Sequence, residues 1–163
     1  MTLVSTVTVG SGGAASIEFT GIPQTGKDLL CVVSARESTS TGNQLALTFN
    51  SDTTNANYSR RLLTGYNGSV SSTSASARTF ILVNADTQTA NTFSSCAIYV
   101  SNYTSSVAKS VSVDQIDEGN NAFVTNNLTA TSWSGTAAIT TLGLVMPSGT
   151  VAQHSTASLY LIS

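Results

Sequence analysis

Apolar residues recur at every second position in run after run of this chain, and no segment repeats them at the three-to-four spacing of a helix. Ala15, Ile17 and Phe19 alternate in one run, and Leu45, Leu47 and Phe49 in another. A strand sends successive side chains to opposite faces, so each run describes a strip with one face for a core and one for water. Clusters of Gly, Asn and Ser punctuate the runs: Gly10-Ser11-Gly12-Gly13, Gly21-Ile22-Pro23, Asn50-Ser51-Asp52-Thr53 and Glu118-Gly119-Asn120-Asn121. Asn67-Gly68 is the strongest hairpin signal, because both residues tolerate positive φ.

Further runs cover 3–9, 28–35, 58–63, 78–84, 93–100, 110–116, 123–133, 139–146 and 157–162. The reading is about ten short strands at a spacing of roughly ten to fifteen residues, with less than about a tenth of the chain helical. Parallel strands need long crossovers, usually helices, and none is present. The pattern therefore predicts an all-β, single-domain β-sandwich over residues 1–163, jelly-roll-like in connection. The run 28–35 (DLLCVVSA) is apolar on both faces, as in a central strand covered on each side. Segments 37–43 and 69–76 read as long exposed loops. Pro23 and Pro147, the only prolines, sit in turns, and no linker divides the chain.

Charged residues make up only 9% of the 163 residues, against about 25% in an average soluble protein. Ser and Thr take their place, at nearly a third of the chain. Thr suits a pleated surface and Ser suits turns. Disorder would need low hydropathy with high net charge; here mean hydropathy is slightly positive and net charge is −2, so the chain folds. The same charge balance leaves no basic patch to neutralise phosphates, which excludes nucleic acid as the main partner. The N-terminus has neither the basic region nor the apolar run of a secretory signal. No stretch reaches the eighteen or so apolar residues of a membrane helix.

Cys31 shares a face with Leu29 and Val33, and Cys96 with Ile98 and Val100. Both read as buried thiols acting as small hydrophobes. A disulfide between them requires neighbouring strands.

Catalysis needs a nucleophile, acid or base set against a partner. The single histidine, His154, lies in a loop, serines are everywhere, and no G-x-S-x-G elbow occurs. The chain reads as a non-enzyme with no cofactor. Asn50 with Asp52, and the trio Asp114, Asp117 and Glu118, supply oxygen atoms of the kind Ca²⁺ takes, but neither fits an EF-hand loop. An Asx turn and a solvated strand end account for them, and no metal is expected. Sugar-binding loops stack a ligand on an exposed aromatic. Tyr58, Tyr66, Tyr103 and Trp133 are the candidates; Trp133 reads as a core-edge residue and Tyr66, beside Asn67-Gly68, as exposed. Tyr58, Arg60 and Tyr66 are thus the candidate surface contacts. Sequons at Asn57, Asn67, Asn102 and Asn127 are expected by chance in so Ser/Thr-rich a chain.

Three segments carry a resemblance. Val7-Thr8-Val9-Gly10 through Ile17-Glu18-Phe19-Thr20-Gly21-Ile22-Pro23 to Asp28-Leu29-Leu30 is one; Leu47 to Thr53 running into Asn57-Tyr58-Ser59-x-Arg61-x-Leu63-x-Gly65 is the second; Ser155 to Ile162 is the third. Together they resemble a β-sandwich module of tailed bacteriophage virions, cyanophages included, found in tail fibres and in capsid decoration proteins. The resemblance implies a homotrimer without catalytic residues. In tail fibres the module follows a long shaft, whereas this chain starts at Met1 with the module itself. A capsid decoration (cement) protein that binds the major capsid protein on the virion surface, assembled in the host cytoplasm, is therefore the expectation. The alternative is a receptor-binding tip that contacts host surface glycans or tail proteins.

Overall fold

The computed structural model of the chain describes residues 1–39, 44–120 and 124–163. Strand accounts for 56% of it and helix for 2%, so the all-β expectation holds. The strands are β1 (Thr2–Thr8), β2 (Ser16–Phe19), β3 (Asp28–Ala35), β4 (Gln44–Phe49), β5 (Tyr58–Tyr66) and β6 (Ser69–Ala75). They continue with β7 (Phe80–Leu82), β8 (Ser94–Val100), β9 (Lys109–Glu118), β10 (Val124–Trp133), β11 (Leu142–Val145) and β12 (Thr156–Ile162).

Two antiparallel sheets form, one of eight strands in the order β1-β12-β3-β8-β9-β10-β5-β6 and one of four in the order β2-β11-β4-β7. Without β5, β6, β9 and β10, the chain passes back and forth between β1-β12-β3-β8 and β2-β11-β4-β7, staying in one sheet only from β4 to β7, which is the connectivity of a jelly roll. The other four strands are two hairpins inserted into that roll. One follows β4 and the other follows β8, and they dock side by side to prolong the large sheet into a wing.

The core lies between the roll's two halves, where Ile17, Phe19, Leu29, Leu45, Leu47, Phe49, Ile98, Val113, Leu144 and Leu159 are buried. β9 alternates throughout, with Val111, Val113 and Gln115 buried and Ser112, Asp114 and Ile116 outward. In β10 the covered face is polar, carrying Asn127, Thr129 and Thr131 before Trp133. Trp133 packs on Phe49 with ring centroids 5.7 Å apart, and a Cβ at Gly135 would fall 2.1 Å from its ring. That aromatic seam joins the wing to the roll.

Three expectations change. The segment 69–76 is not a loop, because its first seven residues form β6. Asn67 (φ 47°) and Gly68 (φ 74°) make a two-residue left-handed turn, and pairing runs unshifted from Tyr66–Ser69 to Arg60–Ala75. Hydroxyl-rich composition suggested a loop because an edge strand exposed on both faces needs no apolar alternation. Secondly, β3 is central in its sheet yet covered on one face only; Val32 on the other is 43% exposed. Thirdly, 37–43 is not wholly loop, since Glu37 bridges Val151; residues 40–43 lie outside the described residues, as does Phe123. The buried Arg36 guanidinium donates to the carbonyls of Asp86, Gln88, Thr89 and Thr92 and to Thr92 Oγ1, at 2.8–3.2 Å. This pins the loop between β7 and β8.

Candidate interaction face

Strand register arranges the outer face of the wing into cross-strand rows. Tyr99, Ser112, Ala130, Arg61 and Ser74 lie opposite one another across β8, β9, β10, β5 and β6. With Ser59, Ser110 and Ser132 they line a groove of about 730 Å³. Its floor is small side chains, so an occupant would lie close to the backbone. Arg61 Nη1 donates to Ser74 Oγ at 2.6 Å, and Tyr99 Oη donates to Asp28 Oδ2 at 2.7 Å. Asp28 also accepts the Asn102 N–H at 2.8 Å, and these two bonds hold its pKa below the usual value, the backbone bond most strongly.

One row further along the strands, between Asp114 and Ser72, the face carries two leucines. Leu63 and Leu128 are direct cross-strand partners, and Ile116, Val124 and Val70 surround them on the same side. Leu128 is 50% exposed and Val70 74% exposed. Scattered apolar residues are ordinary on a surface, but a contiguous cluster marks an interaction site.

Tyr58, Arg60 and Tyr66 all fall on the opposite, inner face of β5. Tyr58 is not a surface contact: it is 3% exposed, donates to the Asp52 carbonyl at 3.0 Å and accepts the Phe49 N–H at 3.2 Å. Burial raises its phenol to about 12. Arg60 is half-buried, its guanidinium 5.1 Å from the Phe80 centroid and bonded to the Arg78 carbonyl. Tyr66 is exposed, at 43%, because the small sheet does not reach the end of the wing. Tyr103 is buried and donates to the Pro23 carbonyl. The residues that build the outer face, Arg61, Leu63, Tyr99 and Leu128, were missed. Extending the Asn67-Gly68 hairpin into a second strand is the sequence signal that would have found Leu63 and Arg61.

The first oxygen cluster is engaged in hydrogen bonds within the fold. Asp52 accepts Trp133 Nε1–H and Asn57 Nδ2–H, each at 2.8 Å, and the Thr54 N–H at 2.9 Å. These donors, Trp133 foremost, hold its carboxyl at about 2, and the Thr54 bond is the expected Asx turn. Asn50 Oδ1 accepts the Thr140 and Thr141 N–H groups. The acidic trio is divided by the pleat. Asp114 and Glu118 point outward, while Asp117 is buried beside Gln88, which donates to it at 3.0 Å. Among the described residues no group of three or more His, Cys, Asp or Glu is placed to hold a metal. His154 sits exposed on the loop before β12 with φ 71°. Also among the described residues, no helix is long and apolar enough to cross a membrane.

Cys31 and Cys96 are buried and unpaired. They occupy neighbouring strands, but Cys31 faces Ile98 and Cys96 faces Val33, which makes them diagonal neighbours. Diagonal Cα separations are about 7–8 Å, longer than the span of roughly 6 Å a disulfide favours.

Compared with known proteins, the chain matches no family model, no curated protein and no solved structure. The resemblance to the virion module therefore rests on the quoted sequence segments.

Proposed function

We propose that this chain is a non-enzymatic virion structural protein, a capsid decoration subunit that lays the outer face of its wing on the phage head. The observation that carries the reading is the group of exposed aliphatic residues, Leu63 paired with Leu128 and flanked by Ile116, Val124 and Val70, on a face otherwise made of hydroxyl and other polar side chains, Asp114 and Asn126 among them. Covering it removes apolar area from water at about 25 cal/mol per Å². The surrounding serines hydrogen-bond without fixed ion pairs, so attachment depends little on salt. Many such subunits on one shell stabilise it by linkage, because each binds the assembled state.

The groove beside the cluster favours a second reading, a receptor-binding tip for host glycans. Hydroxyl donors, the Arg61 guanidinium and the Tyr99 ring are groups that hold a sugar. Mixing the protein with undecorated heads and with host cells separates the two. Cosedimentation with heads at fixed stoichiometry, with a higher rupture temperature, supports decoration; adhesion to cells without head binding supports the tip.

A further inference from the structure

The two sheets have four edges, and an unpaired edge is a template for another chain unless it is guarded. Three are guarded here. β1 carries a bulge between Leu3 and Ser5, so Val4 and Val7 both turn toward the core three residues apart. β2 is four residues long and places the exposed charge of Glu18 in its middle. β7 is three residues long, and a side chain from β9 occupies its edge. Gln115 Oε1 accepts the Leu82 N–H at 2.7 Å, and Gln115 Nε2 donates to the Phe80 carbonyl at 3.4 Å. The carboxamide replaces the missing peptide partner.

Among the described residues, β6 has no such device. It is seven residues, Ser-Val-Ser-Ser-Thr-Ser-Ala, without charge or proline, paired to β5 without a shift and exposed along its length. The turn fixes which backbone groups are free. In a two-residue hairpin the flanking pair, Tyr66 and Ser69, exchanges backbone hydrogen bonds, and so does every second pair after it. Ser69, Ser71, Thr73 and Ala75 therefore point their peptide groups at β5. Val70, Ser72 and Ser74 point theirs away.

We infer that β6 is a docking edge for a second copy of the chain, joined antiparallel about a two-fold axis at Ser72. In that register Ser72 meets Ser72 of the other copy and Val70 meets Ser74, so the outward groups of both edges pair in about six backbone hydrogen bonds. Identical uncharged edges meet without repulsion, and the outer faces of two wings become one surface. A two-fold contact uses the same edge on both copies and closes at two. The trimer implied by the resemblance would require β6 to seat on another edge, and the bulged β1 offers no unbroken ladder. A contact of seven residues per copy falls below the roughly 1,000 Å² of a stable interface. The dimer is accordingly weak in dilute solution and favoured where copies are crowded on a surface.

Light scattering across about 5 to 500 µM protein tests this. The mass should climb from 16.7 kDa toward twice that value. Ser72→Pro deletes an N–H that β5 does not use, a substitution an edge strand accepts; it should keep its circular dichroism and remain monomeric throughout. Val70→Lys would confront the Arg61 guanidinium of the other copy, bound to Ser74, and should weaken association at least about tenfold. It decides the matter if Ser72→Pro fails to fold. A wild-type chain that stays monomeric, a stable trimer, or folded variants that associate like the wild type would each overturn the inference.

Discussion

The Trp133 indole N–H donates to Asp52 Oδ2 at 2.8 Å and so fastens the end of β10 to the turn that leaves β4. The bond is the polar half of the seam whose apolar half is Trp133 on Phe49. Wing and roll are held in register there.

This seam should make stability fall in acid. Asp52 titrates at about 2 against 3.8 for a free carboxyl, chiefly through Trp133. A depressed folded pKa gives stability that is complete above the unfolded value and is lost as pH falls through the folded one. The window is therefore pH 4 down to about 2, with Asp28 acting in the same direction. Asp117, raised by burial, acts the opposite way. After solvent screening, Asp52 contributes on the order of 1–2 kcal/mol. Urea unfolding of Trp133→Phe should show a loss of about that size at pH 7 and a flatter slope between pH 4 and 2. A slope equal to the wild type would show that the indole does not set the Asp52 charge.

Gln115 should matter more than an amide in a strand ordinarily does. Gln115→Leu leaves the Leu82 N–H without its acceptor and opens the β7 edge. The expected cost is about 2 kcal/mol in denaturant unfolding, with aggregation on heating that the wild type lacks. Gln115→Glu keeps the acceptor but loses the donor to Phe80, and should fall between the two. Unchanged aggregation in Gln115→Leu would mean that β7 is protected by its shortness alone.

Cys31 and Cys96 should resist alkylation in the native state. Burial raises Cys31 to about 12 and moves Cys96 in the same direction, and the thiolate is the reactive form. Denatured protein should release two thiols without reductant, while native protein at pH 8 labels only as fast as it opens. Rapid labelling of both would contradict the burial of β3 and β8 against the small sheet.

The roll was legible in the alternation: 28–35 matched β3 to the residue, and the remaining apolar runs matched within a few residues. What escaped was the last strand of the wing and the way its hairpins dock. β6 has no period because both faces meet water, so its strand character comes from the turn and from β5 rather than from its own side chains. The inner and outer faces of β5 were equally hidden, since Tyr58, Arg60 and Tyr66 look exposed beside a hairpin and only the small sheet buries the first of them. Leu63 and Leu128 meet across 65 positions of chain, and no local pattern reports that pairing. The apolar outer face of DLLCVVSA suggested a covering layer; Val32 instead extends an open face.

Leu63→Asp combined with Leu128→Asp tests most directly whether that open face is the binding face. Both side chains are about half exposed, so the double variant should fold with an unchanged circular dichroism spectrum, its melting temperature lowered by the like charges now facing each other and Asp114 across the strands. Under the proposed function, its cosedimentation with undecorated phage heads should be abolished, while the wild type should bind at fixed stoichiometry over a wide range of salt. A double variant that binds heads as the wild type does, or a wild type that does not bind them, would contradict the decoration reading.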